Sequence, residues 1–74
     1  MRTERITKMN IWKPDDEFRL SGIIDLGTHC PRVRTTGKII ELLHNKKAHA
    51  ILDNVENETN VEAIINLRDI KPPI

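Results

Sequence analysis

Two apolar runs separated by a polar hinge decide the fold of this chain: Arg34-Thr35-Thr36-Gly37-Lys38-Ile39-Ile40-Glu41-Leu42-Leu43 and Ala48-His49-Ala50-Ile51-Leu52-Asp53. The hinge is Asn45-Lys46-Lys47, and a third apolar run follows at residues 61–67. Alternation of apolar and polar residues, with many β-branched side chains, is typical of strands. The pattern predicts a three-strand meander with strands at residues 33–43, 48–53 and 61–67.

A helical interpretation of the same region is the alternative. Several apolar residues of the first two runs also fall near one helix face, and Thr59-Asn60-Val61-Glu62 has the form of a capping box. This pattern would give a small helical hairpin or a three-helix domain. Gly37 inside the first run and the β-branched residues around it favour strands.

The N-terminal part carries weaker signals. Residues 1–14 are predicted to form a loose arm, and residues 15–74 a single small β-barrel domain. Residues 18–26 fit a strand or one face of a helix, with Gly22 slightly favouring the extended form. Thr28-His29-Cys30-Pro31 is predicted to be a loop, because the residue before a proline is pushed away from helical angles.

Length limits how much core the chain can build. A domain of 74 residues buries only about 60% of the surface that its unfolded chain exposes. We therefore expect a monomer or a small homo-oligomer whose stability is marginal or is increased by a partner. The predicted core consists of Ile39, Leu42, Ala50, Leu52, Val61, Ile65 and Ile70.

The order of motifs over residues 33–73 resembles small SH3-like barrels, including KOW-type and related bacterial barrels. The motifs are Gly37-Lys38-Ile39-Ile40-Glu41-Leu42, then Lys47 to Asp53, then Val61 to Ile65, and finally Asn66-Leu67-Arg68-Asp69-Ile70-Lys71-Pro72. The resemblance implies a mostly β fold, a partly open barrel of about five short strands. It also implies a short helical turn at Leu67-Arg68-Asp69 before the last strand, and binding of RNA or protein.

No motif in the chain predicts catalysis, a cofactor or a metal site. His44 and His49 flank the hinge, with His29 and Cys30 as further candidate ligands, but regular zinc-ligand spacing is absent. A nucleophilic role for Cys30 is disfavoured because the neighbouring side chain of His29 would point away from it. The lone cysteine and the lack of an apolar span or signal core predict a cytoplasmic protein that does not interact with membranes.

Charge is close to neutral overall, +1, but the signs come in blocks. Residues 32–47 have a net charge of +4 and residues 48–62 a net charge of −4. The candidate binding residues all lie in the basic block: Arg32, Arg34, Lys38, Lys46 and Lys47. We expect a non-catalytic binding module that uses this basic hairpin to contact nucleic acid. The alternative is a protein-assembly adaptor or a small accessory subunit of a larger complex.

Overall fold

The computed structural model describes residues 12–73, which form one antiparallel sheet of five strands in the order β4-β3-β2-β1-β5. The strands are β1 (Glu17–Ile23), β2 (Arg32–Leu43), β3 (Lys47–Val55), β4 (Glu58–Asn66) and β5 (Ile70–Lys71). A single 3₁₀ turn at Leu67–Asp69 precedes β5, where the helical turn was predicted. The predicted mostly β class is confirmed, and the helical alternative is wrong. The predicted arm falls largely outside the described residues.

Strand β1 resolves the ambiguous segment in favour of the extended form. Phe18, Leu20 and Gly22 are buried and the residues between them are exposed, which is the two-residue period of a half-buried strand. The strand is fixed by pairing along its whole length with β2, from Glu17 opposite Lys38 to Ile23 opposite Arg32. Pairing with a strand distant in sequence therefore decided between strand and helix, which the local sequence pattern did not.

Both hairpins in the second half turn through residues with positive φ. Asn45 and Lys46 have φ of 63° and 59° between β2 and β3, while Glu56 and Asn57 have φ of 52° and 71° between β3 and β4. Two consecutive residues with positive φ give the turn a twist that matches the twist of the paired strands. The second turn makes β3 and β4 longer than predicted, because pairing continues to Val55 opposite Glu58.

The sheet curls back on itself at one end. Asp25, just after β1, forms an isolated bridge to Ile64 of β4. Each of the two residues donates its backbone N–H to the carbonyl oxygen of the other, with an N to O distance of 3.0 Å. This bridge links the chain beyond β1 to the opposite edge strand. The sheet is not closed along its length, consistent with the predicted partly open barrel.

Among residues 12–73, eleven buried apolar residues form the core. They are Phe18, Leu20, Ile24, Ile39, Ala48, Ala50, Leu52, Val55, Ala63, Ile65 and Ile70. Five of the seven predicted core residues are among them, and Val61 packs against the cluster while half-buried. The prediction for Leu42 is wrong, since its exposed fraction is 40%. Leu42 lies opposite buried Ala48, but β1 pairs with β2 only as far as Lys38 and leaves this end of the sheet uncovered.

Residues 12–73 contain no helix with the length and apolar character needed to cross a membrane.

Candidate nucleic-acid interface

The structure divides the five predicted binding residues between two places. Arg32, Arg34 and Lys38 are exposed and alternate along β2, so their side chains share its outer face. Lys46 and Lys47 lie at the turn into β3. Arg34 lies nine positions before the last residue of β2 and Lys38 five positions before it, roughly 30 Å and 17 Å at the rise of a strand. The turn lysines therefore lie well apart from Arg32 and Arg34, with Lys38 between the two groups.

Strands β1 and β5 add cations to the first group. Arg19 lies on the outer face of β1, opposite Thr36 of β2 on one side and Lys71 of β5 on the other. A surface groove of about 610 Å³ runs between these strands and the 3₁₀ turn. Its polar lining includes Arg19, Ser21, Arg34, Thr36, Arg68 and Lys71. We call Arg19, Arg32, Arg34, Lys38, Arg68 and Lys71 the basic face.

Three members of the basic face were not among the residues predicted from the sequence: Arg19, Arg68 and Lys71. Arg19 lies in a net acidic block of the sequence, and Arg68 and Lys71 follow the third strand of the predicted meander. Only the pairing of β1 with β2 and β5 brings them beside Arg34. The alternation of exposed residues in β1 was the one local signal that could have identified Arg19.

The arginines and lysines of the basic face form no ion pairs with carboxylates of the described residues. Within residues 12–73, the ion pairs are His29 with Glu56 at 2.9 Å and His49 with Glu62 at 3.1 Å, and neither involves an arginine or lysine. The neighbouring carboxylates are those of Glu17, opposite Lys38, Asp53, which contacts Thr36, and Asp69, which lines the groove. Six cations against three carboxylates leave a local net charge of +3. This surface favours an anionic partner.

Two hydrogen bonds hold side chains that line the groove in place. The Arg19 Nε donates a hydrogen bond to the carbonyl oxygen of Pro72 at 2.9 Å, which ties β1 to the chain after β5. The Thr36 hydroxyl donates to the carboxylate of Asp53 on β3. Alternate residues of a strand are about 6.7 Å apart, so Arg32, Arg34 and Lys38 form a row along β2 that Thr36 interrupts. A row of cations suits a chain of phosphates better than a single small anion.

Aromatic stacking is not available on the basic face. The chain has one tryptophan and one phenylalanine and no tyrosine. Phe18 is buried, and Trp12 packs edge-on against it with ring centroids 6.4 Å apart. Neither ring lines the groove. Contacts there would be with phosphate and sugar rather than with base faces.

The histidines and the cysteine have separate surroundings. His29 Nε2 contacts the Glu56 carboxylate and its Nδ1 contacts the Thr28 hydroxyl, while Cys30 is exposed in the same loop. His49 contacts Glu62 across β3 and β4, and His44 is exposed in the turn. No group of three or more histidine, cysteine or carboxylate side chains with metal-binding geometry occurs within residues 12–73.

Comparison of the chain with protein-family models, with curated proteins and with solved structures finds no match.

Proposed function

We propose that this protein is a non-catalytic binding module that holds a nucleic acid by its sugar-phosphate backbone. The observation that carries the proposal is the basic face: four of its six cations, from β1, β2, β5 and the 3₁₀ turn, line one groove, and Arg32 and Lys38 lie on the same outer face of β2. None of them is paired with a carboxylate of the described residues. A polyanion would replace solvent and counterions at every one of these positions.

Binding would be electrostatic and largely independent of base sequence. Arg19, Arg34 and Arg68 can each present two parallel N–H donors to a phosphate, and Lys71 acts as a point charge. The hydroxyls of Ser21 and Thr36 line the same groove and can donate to phosphate or sugar oxygens. The absence of aromatic rings from the groove predicts weak discrimination between bases.

The resemblance to small SH3-like barrels supports the same proposal. The 3₁₀ turn at Leu67–Asp69 leads directly into the two-residue strand β5, as that resemblance implies. We extend the proposal to the fold family: the domain is an SH3-like barrel related to the KOW type, with β5 and the turn contributing two of the six cations.

The test is a binding titration with a fluorescently labelled single-stranded RNA of about 12 nucleotides, which fits the site size of small modules. We expect the double variant Arg34→Gln and Lys71→Gln to weaken binding about tenfold or more at low salt. The matched control is Lys46→Gln with Lys47→Gln, which removes the same charge from the distant turn and should cost less than about threefold. Far-ultraviolet circular dichroism checks that both variants fold.

Two results would overturn the proposal. One is the lack of any RNA or DNA binding by the wild-type protein at low salt. The other is an equal loss of affinity in the two double variants, which would show that net charge matters and the groove does not.

The second candidate function, a protein-assembly adaptor, is favoured by a different observation. Ile40, Leu42 and Leu43 are exposed large apolar residues near the far end of β2. Recovery of a protein partner from native lysate, unchanged by nuclease treatment, would support this role over the first.

A further inference from the structure

Strand β2 extends beyond its neighbour β1, which pairs with it only as far as Lys38. Two backbone hydrogen bonds continue the contact by one residue. Asp15 N–H donates to the Ile39 carbonyl oxygen at 2.7 Å, and Ile39 N–H donates to the Asp16 carbonyl oxygen at 2.9 Å. Among the residues that the structure describes, no backbone partner follows on this side of β2. Residues 40–43, which we call the edge segment, have β3 as their only neighbouring strand.

The backbone of Leu42 faces this free edge. The N–H and carbonyl of Ile39 point away from β3, so those of its partner Ala50 point toward β4. The backbone groups of Ala48, two residues earlier, point the same way, and Ala48 is the partner of Leu42. The register shift of β2 against β3 falls between Ile39 and Glu41, before Leu42. Leu42 therefore offers one donor and one acceptor to an added strand.

The edge segment is apolar where a solvent-facing strand edge is usually polar or charged. Its side chains Ile40, Leu42 and Leu43 are 38%, 40% and 38% exposed, and they account for three of the four exposed large apolar residues among those described. Leu42 and Leu43 also line a hollow of about 240 Å³, together with Trp12 and Leu67. An added strand would bury apolar side chains as well as form backbone hydrogen bonds.

Charge around the edge segment is balanced in total and separated along the strand. Three lysines and three acids surround it: Lys13, Lys46, Lys47, Asp15, Asp16 and Glu41. Asp15 and Asp16, the acidic end, lie where the segment begins, and Lys46 and Lys47, the lysine end, follow where it stops. Lys13 offsets one charge of the acidic end. None of the six forms an ion pair with another described residue, so a strand with the opposite order of charges would complement this edge.

We propose that the edge segment binds the same segment of a second copy of the chain, forming a two-fold dimer with one antiparallel sheet through both subunits. The two Leu42 residues would lie opposite each other at the axis, and each would donate its N–H to the carbonyl oxygen of the other. Antiparallel pairing places the lysine end of each copy against the acidic end of the other. This surface is separate from the basic face, so the proposal does not depend on nucleic-acid binding.

The length of the free run matches this register. With Leu42 at the axis, Asn45 of one copy lies level with Ile39 of the other. Asn45 has a φ of 63° and begins the turn that leads the chain away from the edge. Ile39 is the residue whose edge the acidic end already occupies. The pairing run of one copy therefore stops where the β1 side of the other begins, and the two chains do not compete for the same space.

The first 11 residues of the chain are the competing occupant. They carry three cations and one acid, a net charge of +2. They join the described chain at Trp12, which lines the hollow together with Lys46 of the lysine end. An arm laid along the edge from this junction would bring its cations to the lysine end first. A second copy meets both the order of charges and the length of the free run.

The first test measures the oligomeric state of the full chain by sedimentation equilibrium. We expect a dimer that dissociates between about 10 μM and 1 mM, because the paired run is short. Leu42→Glu should weaken the dimer about tenfold or more, since it places two carboxylates side by side at the axis. Ile23→Glu, at the exposed apolar residue on β1, is the matched control and should dimerise normally. Circular dichroism checks that each variant folds.

A charge exchange tests the antiparallel orientation. Asp15→Lys and Lys46→Glu should each weaken the dimer about threefold or more at low salt, because each places like charges together. Both changes in one chain should restore the affinity to within about twofold of wild type. The matched control is Lys46→Glu with Glu58→Lys, at an exposed position of β4, which restores the net charge but not the dimer.

Crosslinking tests the register in a Cys30→Ser background. Leu42→Cys should form a disulfide between copies, because directly opposite, hydrogen-bonded residues have Cα atoms about 5.5 Å apart. Leu43→Cys is the matched control. Its two copies would lie about 8 Å apart in this register, beyond the reach of a disulfide.

Several outcomes would overturn the proposal. A protein that stays monomeric at about 1 mM excludes the dimer. A dimer that folded Leu42→Glu leaves intact lies on another surface, and equal crosslinking through Leu42→Cys and Leu43→Cys rules out the register. Failure of the double charge exchange to restore affinity rules out the antiparallel contact of the ends. Nuclear Overhauser contacts between residues 1–11 and Leu42 within one chain would show that the chain covers its own edge.

Discussion

Arg19 of β1 and Lys71 of β5 lie directly opposite each other in the sheet, with the Arg19 side chain hydrogen-bonded to the next carbonyl, that of Pro72. Two cations that are far apart in the sequence thus become neighbours on one exposed face. Like charges placed opposite each other in a sheet destabilise it, so their proximity has a cost in the free protein. An anion bound between them would remove that cost.

The basic face makes the affinity for nucleic acid depend on salt. If four phosphates are contacted, the slope of log affinity against log salt for a single strand is about −2.8, which is a loss of about 50-fold between 50 and 200 mM. The variant Arg34→Gln with Lys71→Gln should reduce the magnitude of that slope by about 1.4, because each lost contact removes about 0.7. Fluorescence anisotropy at several salt concentrations measures the slope. A slope that is unchanged in this variant would contradict the assignment of phosphate contacts to these two residues.

Replacement of the two turn lysines should leave the stability of the fold nearly unchanged. Lys46 and Lys47 are both exposed, so replacing both with glutamate should change the free energy of unfolding by less than about 0.5 kcal/mol, as surface changes usually do. Urea denaturation measures the effect. A loss of more than about 1 kcal/mol would show that these two side chains pack against the fold.

Gly37 has no room for a side chain. A Cβ built at this position would lie 2.5 Å from the Ile51 carbonyl oxygen, 2.9 Å from Leu52 Cδ2 and 3.0 Å from Phe18 Cζ. Gly37→Ala should therefore destabilise the fold by about 1–3 kcal/mol through overpacking. Ser21→Ala, at an exposed position of the neighbouring strand, is the control and should have little effect. Urea denaturation of both variants decides the matter, and equal stability would show that the strands can separate to admit the methyl group.

The core and the edge should respond differently to the same truncation. Leu52 is fully buried and Leu42 is 40% exposed, although both occupy paired positions of neighbouring strands. Leu52→Ala or Ile65→Ala should cost about 2–5 kcal/mol, enough to unfold much of a domain of this size. Leu42→Ala should cost less, about 1–2 kcal/mol, because only part of this side chain is buried. Thermal melts compare the three variants, and a large loss for Leu42→Ala would mean that something covers this side chain in solution.

The sequence by itself determined the strand class and the positions of most strands. The apolar residues of β3 and β4 alternate with a period of two, and Asn45-Lys46 supplies residues that tolerate the positive φ of the hairpin turn. These are local signals, carried by neighbours along the chain. They predicted Ile39, Ala50, Leu52, Ile65 and Ile70 as core residues, and the structure buries all five.

Only the tertiary structure decided which surfaces those strands create. Arg19 and Lys71 reach Arg34 through pairing between strands that are distant in sequence, and Lys46 and Lys47 are carried away from it by the length of β2. The exposure of Leu42 likewise depends on where β1 stops, since an apolar residue on the core-facing side remains exposed when no strand covers it. Strand ends and long-range partners are set by the packing of the whole domain, which alternation within one strand does not encode.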